Sequence, residues 1–177
     1  MYRLSTRLIA LSLPILLAGC AASKPCTDLS ERCQAERMLY QNDMLQARLL
    51  IASGEKENYR LADALLDRAM PYDRKGEAPF YKALLKIKDG APTEEALDLL
   101  EEAAKAGQPY ATALLYKVYS EPFLIPSADR AKASQYRAAY SRLDVAISGY
   151  PSFEKALTLV DGMLGAASSQ DAQAAGR

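Results

Sequence analysis

The chain contains 177 residues, with 22 basic and 22 acidic side chains and no histidine. The balanced charge argues against nucleic-acid binding, and without histidine the sequence lacks the commonest general base and metal ligand. Because it also has no glycine-rich phosphate loop, nucleophile elbow or metal-spaced cysteine set, the chain is predicted not to be an enzyme and to use no cofactor, metal or small-molecule substrate.

The N-terminal segment has the pattern of an export signal. Arg3 and Arg7 precede an apolar run, residues 8–17, which is too short to cross a hydrocarbon core about 30 Å thick as a helix of the mature protein. The run ends in LAGC at residues 17–20, which resembles the lipobox of bacterial lipoproteins. The resemblance implies a signal peptide of residues 1–19, cleaved before Cys20, whose thiol then carries a diacylglycerol. Each buried acyl methylene adds about 0.8 kcal/mol of membrane affinity, so several chains anchor a protein stably.

The residues after the cysteine indicate where such a lipoprotein would go. Ala21 stands where inner-membrane retention usually shows aspartate, so the resemblance implies the outer membrane, with the body of the protein in the periplasm. Residues 20–27 are mostly small or polar and include a proline, which predicts a short lipidated tether. The alternatives are an ordinary secretory signal cleaved near residues 21–22 and a membrane-embedded helix.

Cys26 and Cys33 remain as a pair once Cys20 carries the lipid, and in an oxidising compartment they predict a local disulfide. Residues seven apart in one helix lie about 10 Å apart along its axis, too far for a bridge, so Cys26 must precede the helix that holds Cys33. Asp28, with Glu31 three residues later, predicts the N-terminus of that helix. Two free thiols and a bridge to another chain are the alternatives.

Residues 28–165 are predicted to be all-α, because apolar residues recur three or four positions apart, as in Met38, Leu39, Leu45, Leu49 and Leu50. The first helix is predicted to end at Ser53-Gly54. Further helices are predicted from about Lys56 to Met70, up to Asp89, from a cap at Thr93 to Lys105, from Pro109 to Ser120, from a cap at Ser127 or Asp129, and from Pro151 to about Gly165. Residues 166–177 are mostly alanine, serine, glutamine and glycine and are predicted to be a disordered tail.

Two families of similar segments alternate along these helices. One begins at Ala62, Ala96 and Ala131, a period of about 35 residues, and the other begins at Pro79, Pro109 and Pro151. Alternating helix types at this period predict a short α-solenoid of about three helix hairpins. The backbones are predicted to approach at the shared alanines 69, 103 and 138 in one family and 83, 113 and 156 in the other.

The stretch from Ala96 to Tyr140 resembles the tetratricopeptide and SEL-type repeat families. The matching pieces are A-x-x-L-L-E-x-A-A-x-x-G at residues 96–107 and D-x-x-K-A-x-x-Y at residues 129–136. Tyr116 departs from the SEL-type pattern, in which a glycine is expected at that position. The resemblance implies an α-solenoid.

Candidate partner-binding residues are aromatic or apolar. Phe123, Leu124 and Ile125 stand together between prolines and are expected either to tuck over the solenoid edge or to form a docking site. Tyr110 and Tyr116 have repeat spacing, so they either fill the space between hairpins or line a binding groove. The acids of residues 94–102 fall on one helix face, which predicts a solvated surface rather than a catalytic carboxylate pair.

The predicted function is that of an outer-membrane-anchored periplasmic scaffold that binds protein partners during assembly of an envelope export system, such as a pilus, a secretion channel or an exopolysaccharide pore. The reason is the combination of a lipid anchor with helical repeats, which offer extended binding surfaces. The alternative is a non-catalytic regulator of enzymes that synthesise or hydrolyse peptidoglycan. A carrier of small ligands or lipids ranks last, because it needs a closed apolar cavity.

Overall fold

A computed structural model of the chain describes residues 30–174, with side chains described to residue 165. Within this range the fold is all-helical, as predicted, with eight α-helices and no strand. The predicted signal peptide, residues 1–19, and the tether with Cys20 and Cys26 lie outside the described residues. None of the described helices combines the length and apolarity needed to cross a bilayer.

The α-helices run in the order α1 Glu31–Ser53, α2 Tyr59–Ala69, α3 Glu77–Asp89, α4 Thr93–Lys105, α5 Pro109–Ser120, α6 Arg130–Tyr140, α7 Asp144–Ser148 and α8 Phe153–Ala174. Short 3-10 turns, Lys56–Asn58 and Met70–Tyr72, flank α2. The peptide bond between Tyr150 and Pro151, before α8, is cis.

Helix α1 begins at a different cap from the predicted one. Its N-cap is Ser30, whose hydroxyl accepts a hydrogen bond from the Cys33 N–H at 3.4 Å, so the cap is not Asp28. A serine hydroxyl satisfies one of the exposed amide donors of the first turn as well as a carboxylate does. Cys33 therefore lies within the first turn of α1, as the cysteine spacing requires if Cys26 precedes the helix.

The caps of α4 and α6 also differ in part from the prediction. Thr93 is the first residue of α4 rather than its cap, and its hydroxyl donates a hydrogen bond to the Leu124 carbonyl at 3.3 Å. At α6, Asp129 rather than Ser127 is the cap, and its carboxylate accepts the Lys132 N–H at 3.0 Å. Because the Thr93 hydroxyl bonds a residue distant in the chain, it does not cap its own helix. The sequence pattern does not reveal such a partner.

The C-terminal region departs most from the prediction. Helix α7 is unpredicted, and α8 continues beyond Gly165 to Ala174, so the tail predicted to be disordered from Ala166 is helical over residues 166–174. Alanine has the highest helix propensity and no proline interrupts this stretch, so low hydrophobicity alone was a poor guide. Residues 175–177 lie outside the described range.

Neighbouring helices pack against one another in chain order from α1 through α6. Helix α1 also contacts α3, and α8 contacts both α3 and α5. Helices α1, α3, α5 and α8 thus each also pack against a helix that is not adjacent to them in sequence.

The buried side chains form two hydrophobic clusters that meet on α3. The N-terminal cluster consists of Met44, Ala47, Ile51, Tyr59, Ala62, Leu65, Leu66, Ala69, Ala78 and Leu85. The C-terminal cluster includes Phe80, Leu84, Leu100, Leu114, Leu115, Tyr140, Phe153 and Val160. Tyr81 packs against both clusters, so α3 is the element through which the two halves of the core are joined.

Five of the six alanines predicted to lie at close helix contacts are fully buried: Ala69, Ala83, Ala103, Ala113 and Ala156. The sixth, Ala138 on α6, is exposed. The departure from the repeat therefore lies in α6, where Ala133 and Tyr140 are the buried residues.

Candidate partner-binding surfaces

The apolar loop between α5 and α6 lies against the body of the protein. Leu124 and Ile125 are half-buried and pack on the C-terminal cluster, and the Leu124 carbonyl is held by Thr93. The Phe123 ring is 40% exposed, with the Lys117 ammonium 5.8 Å from its centroid. Of the three candidates in this loop, Phe123 has the most apolar surface accessible to a partner.

The two tyrosine candidates are half-buried and pack against other aromatic rings. The Tyr116 ring meets Phe153 edge to face, with centroids 4.9 Å apart, and the Tyr110 ring centroid lies 6.0 Å from that of Phe80. Such contacts stabilise the packing of α5 on α3 and α8. Both tyrosines therefore fill space between helices, and their binding role remains a prediction.

A polar cluster joins α1 to α3 and to the loop before it. The Tyr40 hydroxyl lies 3.2 Å from an Asp73 oxygen and 3.3 Å from a Glu77 oxygen, which share its single proton, and Arg48 donates to Glu77 at 2.7 Å. The Arg48 guanidinium also lies 4.9 Å from the centroid of the Tyr81 ring. Burial, followed by the nearby carboxylates of Asp73 and Glu77, raises the pKa of Tyr40 above its usual range. Sequence reasoning missed this cluster because its members are distant in the chain.

A buried ion pair fixes α1 against α2. The Asp43 carboxylate has no exposed surface, and both of its oxygens accept hydrogen bonds from the Arg68 guanidinium, at 2.5 and 2.7 Å. A planar guanidinium suits this two-point contact. The amphipathic pattern gives no sign of the pair, because an aspartate in the middle of a helix ordinarily faces solvent.

Helix α1 exposes large apolar side chains on the side away from the core. Met38, Leu45 and Leu49 are 69, 57 and 62% exposed, whereas Met44 and Ile51 are buried. The apolar spacing that predicts this helix therefore includes two stripes, of which one faces the core. Hydrophobic periodicity alone does not indicate which stripe is buried.

A pocket of about 230 Å³ lies where α6, α7 and α8 meet. Arg137, Tyr140 and Phe153 are among its lining residues. The Arg137 guanidinium lies 4.6 Å from the Phe153 ring centroid and within 3.5 Å of Glu154, so its charge already has partners. The volume is below the roughly 300–1,000 Å³ of typical small-molecule sites.

The acidic face of α4 has the character of a solvated surface. Glu94, Glu95, Asp98 and Glu102 are exposed, and Glu95 pairs with Lys86 at 2.9 Å. Among the residues described, no group of three or more acids or cysteines is arranged to hold a metal ion.

Cys33 is disulfide-bonded and nearly buried. Its partner lies outside the described residues, so the pairing with Cys26 stays a prediction, as does lipid attachment at Cys20.

Two tyrosines of α6 should make the fold sensitive to alkali. Burial raises the pKa of Tyr140, whose hydroxyl donates to the Pro151 carbonyl at 2.7 Å, to about 12, with smaller contributions from Tyr110 and Glu154. Burial likewise raises the pKa of Tyr136 to about 12. Because unfolded tyrosines ionise near pH 10, stability is fully present below about pH 10 and is expected to fall as the pH rises toward about 12.

Urea unfolding of the full chain at a series of alkaline pH values checks this expectation. Tyr140→Phe should flatten the fall in unfolding free energy and should lower stability at neutral pH by about 1 kcal/mol through the lost hydrogen bond. Tyr150→Phe, at a ring that is 69% exposed, is the matched control. An alkaline slope that is the same in both variants would contradict the assignment.

Comparisons with known protein families, with curated proteins and with solved structures found no match to this chain.

Proposed function

We propose that the protein is an outer-membrane-anchored periplasmic scaffold, a short α-solenoid of about three helix hairpins that binds protein partners during assembly of an envelope export system. In this proposal, Cys20 carries the lipid and the helical-repeat domain predicted over residues 28–165 provides the binding surfaces.

The observation that carries the proposal is that equivalent positions are buried in the same way in two of the three segments of the first family, α6 being the exception, and in all three segments of the second. Ala62, Leu66 and Ala69 on α2 correspond to Ala96, Leu100 and Ala103 on α4, and all six are buried. In the second family, Ala83, Ala113 and Ala156 on α3, α5 and α8 are likewise buried. This repeated pattern of buried residues supports an arrangement of stacked hairpins. Such stacks provide extended surfaces for partners rather than enclosed active sites.

The accessible apolar surface of the α5–α6 loop gives the proposal a specific contact point. Phe123 is 40% exposed beside Lys117, while its neighbours hold the loop against the body. A partly exposed aromatic ring on a fixed backbone resembles the anchors that dominate protein interfaces. We place partner contact at this ring.

Two measurements on the full chain in a Gram-negative envelope test the proposal. The first is metabolic labelling with a radiolabelled fatty acid, for which wild type and Cys26→Ala are expected to be labelled and Cys20→Ala is not. Label on Cys20→Ala, or no label on wild type, would contradict the lipid anchor.

The second measurement is cross-linking from a photoreactive amino acid placed at Phe123, with the same group at Lys105 as control, because the Lys105 side chain is 80% exposed on α4. A protein of an export assembly should be captured from position 123 and not from position 105. Capture of a peptidoglycan synthase or hydrolase would favour the regulatory alternative, and no specific product would count against a partner at this site.

A further inference from the structure

Six residues on the outer side of α1 form a continuous exposed line, which we call the α1 seam: Ala35, Met38, Asn42, Leu45, Leu49 and Ala52. The seam points away from the N-terminal cluster, since Met44, Ala47 and Ile51 occupy the opposite side of the helix. No described helix packs on the seam. Three of its members are among the most exposed large apolar side chains of the described protein.

The spacing of the seam is that of a coiled coil. Intervals of three and four residues alternate along it, so Ala35, Asn42 and Leu49 occupy a positions of a heptad and Met38, Leu45 and Ala52 occupy d positions. At 1.5 Å per residue the seam is about 26 Å long. A helix of a monomeric domain would be expected to have polar residues on this side.

The residues beside the seam favour a second copy of the same chain as the occupant. Four of the flanking e and g positions hold Gln34, Leu39, Gln41 and Gln46, which are uncharged. Arg48, also in a flanking position, is already held by Glu77 at 2.7 Å. Two identical seams can therefore meet without the like-charge repulsion that ordinarily prevents self-pairing.

Asn42 favours one relative orientation of the two paired helices. A single asparagine at an a position favours two-stranded, parallel, in-register pairing, because only then do the two polar side chains face each other. We propose that two copies of the protein pair through their α1 seams as a parallel, in-register coiled coil. The parallel orientation also rests on the proposed function, because a lipid at residue 20 of each copy would hold both N-termini at one membrane. The seam is short, so anchoring would strengthen the pairing by raising the local concentration.

Cysteine cross-linking of the full chain in the envelope tests the pairing and its register. Leu45→Cys places a thiol in the seam, and Arg37→Cys places one on the same helix, outside the seam. After mild oxidation, Leu45→Cys is expected to give about tenfold more disulfide-linked homodimer than Arg37→Cys, because the paired helices hold the two thiols together. Equal yields, no dimer, or linkage of Leu45→Cys to a different protein would overturn the proposal.

Co-expression distinguishes the two orientations. In an antiparallel pair centred on the seam, residue 38 of one copy lies beside residue 49 of the other. A mixed dimer of Met38→Cys with Leu49→Cys, both of which keep Asn42, in the absence of either homodimer, would therefore overturn the parallel register.

A second measurement does not depend on added cysteines. The purified full chain, reconstituted in detergent, is expected to have the mass of a dimer by light scattering, and Leu45→Glu with Leu49→Glu should reduce it to a monomer. Leu61→Glu is the matched control, because Leu61 is 55% exposed and lies on α2 rather than on α1. Helicity should be unchanged in all variants, since every substituted side chain is exposed, and a monomeric wild type would overturn the pairing. Fatty-acid labelling tests the lipid anchor independently of pairing. A protein that is labelled but forms no dimer through the seam would therefore refute the pairing and leave the proposed anchor standing.

Discussion

Gly76→Ala is expected to lower the free energy of unfolding by about 3 kcal/mol or more. Gly76 caps α3 with a backbone φ of +72°, where a side chain is strained. A β-carbon at this position would also lie 2.6 Å from the carbonyl oxygen and 2.8 Å from the α-carbon of Ala103. Because these are backbone atoms, α3 and α4 would have to separate to admit it.

Gly90→Ala provides the matched control. Its φ is +76°, close to that of Gly76, but a β-carbon there would meet nothing within 4 Å. The control should lose only the backbone strain, about 1 kcal/mol. Urea unfolding of both variants separates the cost of backbone strain from the cost of the steric clash. Equal losses of unfolding free energy would show that the close approach of Gly76 to α4 does not affect stability.

Arg68→Ala is expected to lower the free energy of unfolding clearly more than the loss of an ordinary surface charge, because it leaves a buried carboxylate without its partner. The substitution leaves the Asp43 carboxylate, which has no exposed surface, without the two hydrogen bonds it accepts from Arg68. The Arg68 side chain itself is 55% exposed, so water entering the vacated space offsets part of the loss.

Arg60→Ala, at an exposed position on the same helix, controls for loss of a positive charge and should change stability by less than about 0.5 kcal/mol. The double variant Asp43→Ala with Arg68→Ala should recover part of the loss, because it removes the buried charge together with its partner. If Arg68→Ala behaves like Arg60→Ala in chemical denaturation, the pair does not stabilise the contact between α1 and α2.

The helices were predictable wherever a local signal sets their ends. Proline opens α5 at Pro109, and left-handed glycines follow α1 and α3 at Gly54 and Gly90, because proline fixes φ and glycine tolerates positive φ. Prediction was wrong where a tertiary contact competes with a local one, as at Thr93, whose hydroxyl bonds the Leu124 carbonyl instead of capping α4.

The candidate surfaces were harder to predict, because exposure is decided by packing. The sequence pattern treats the three apolar residues of the α5–α6 loop alike, whereas in the structure Leu124 and Ile125 pack on the core and leave Phe123 more exposed. The α1 seam was not predicted, because Leu45 and Leu49 have the spacing of core residues. Only the position of α2 and α3 shows that these two side chains face outward.

The division of the core into two clusters joined on α3 has a mechanical consequence. Tension applied through the residues before Ser30 enters the fold at α1, which contacts the remainder mainly through α2 and α3. The Asp43–Arg68 pair and the Arg48–Glu77 pair connect α1 laterally to those helices, so a pull along the α1 axis loads them in shear. Under such a pull the N-terminal cluster is expected to yield before the larger C-terminal cluster.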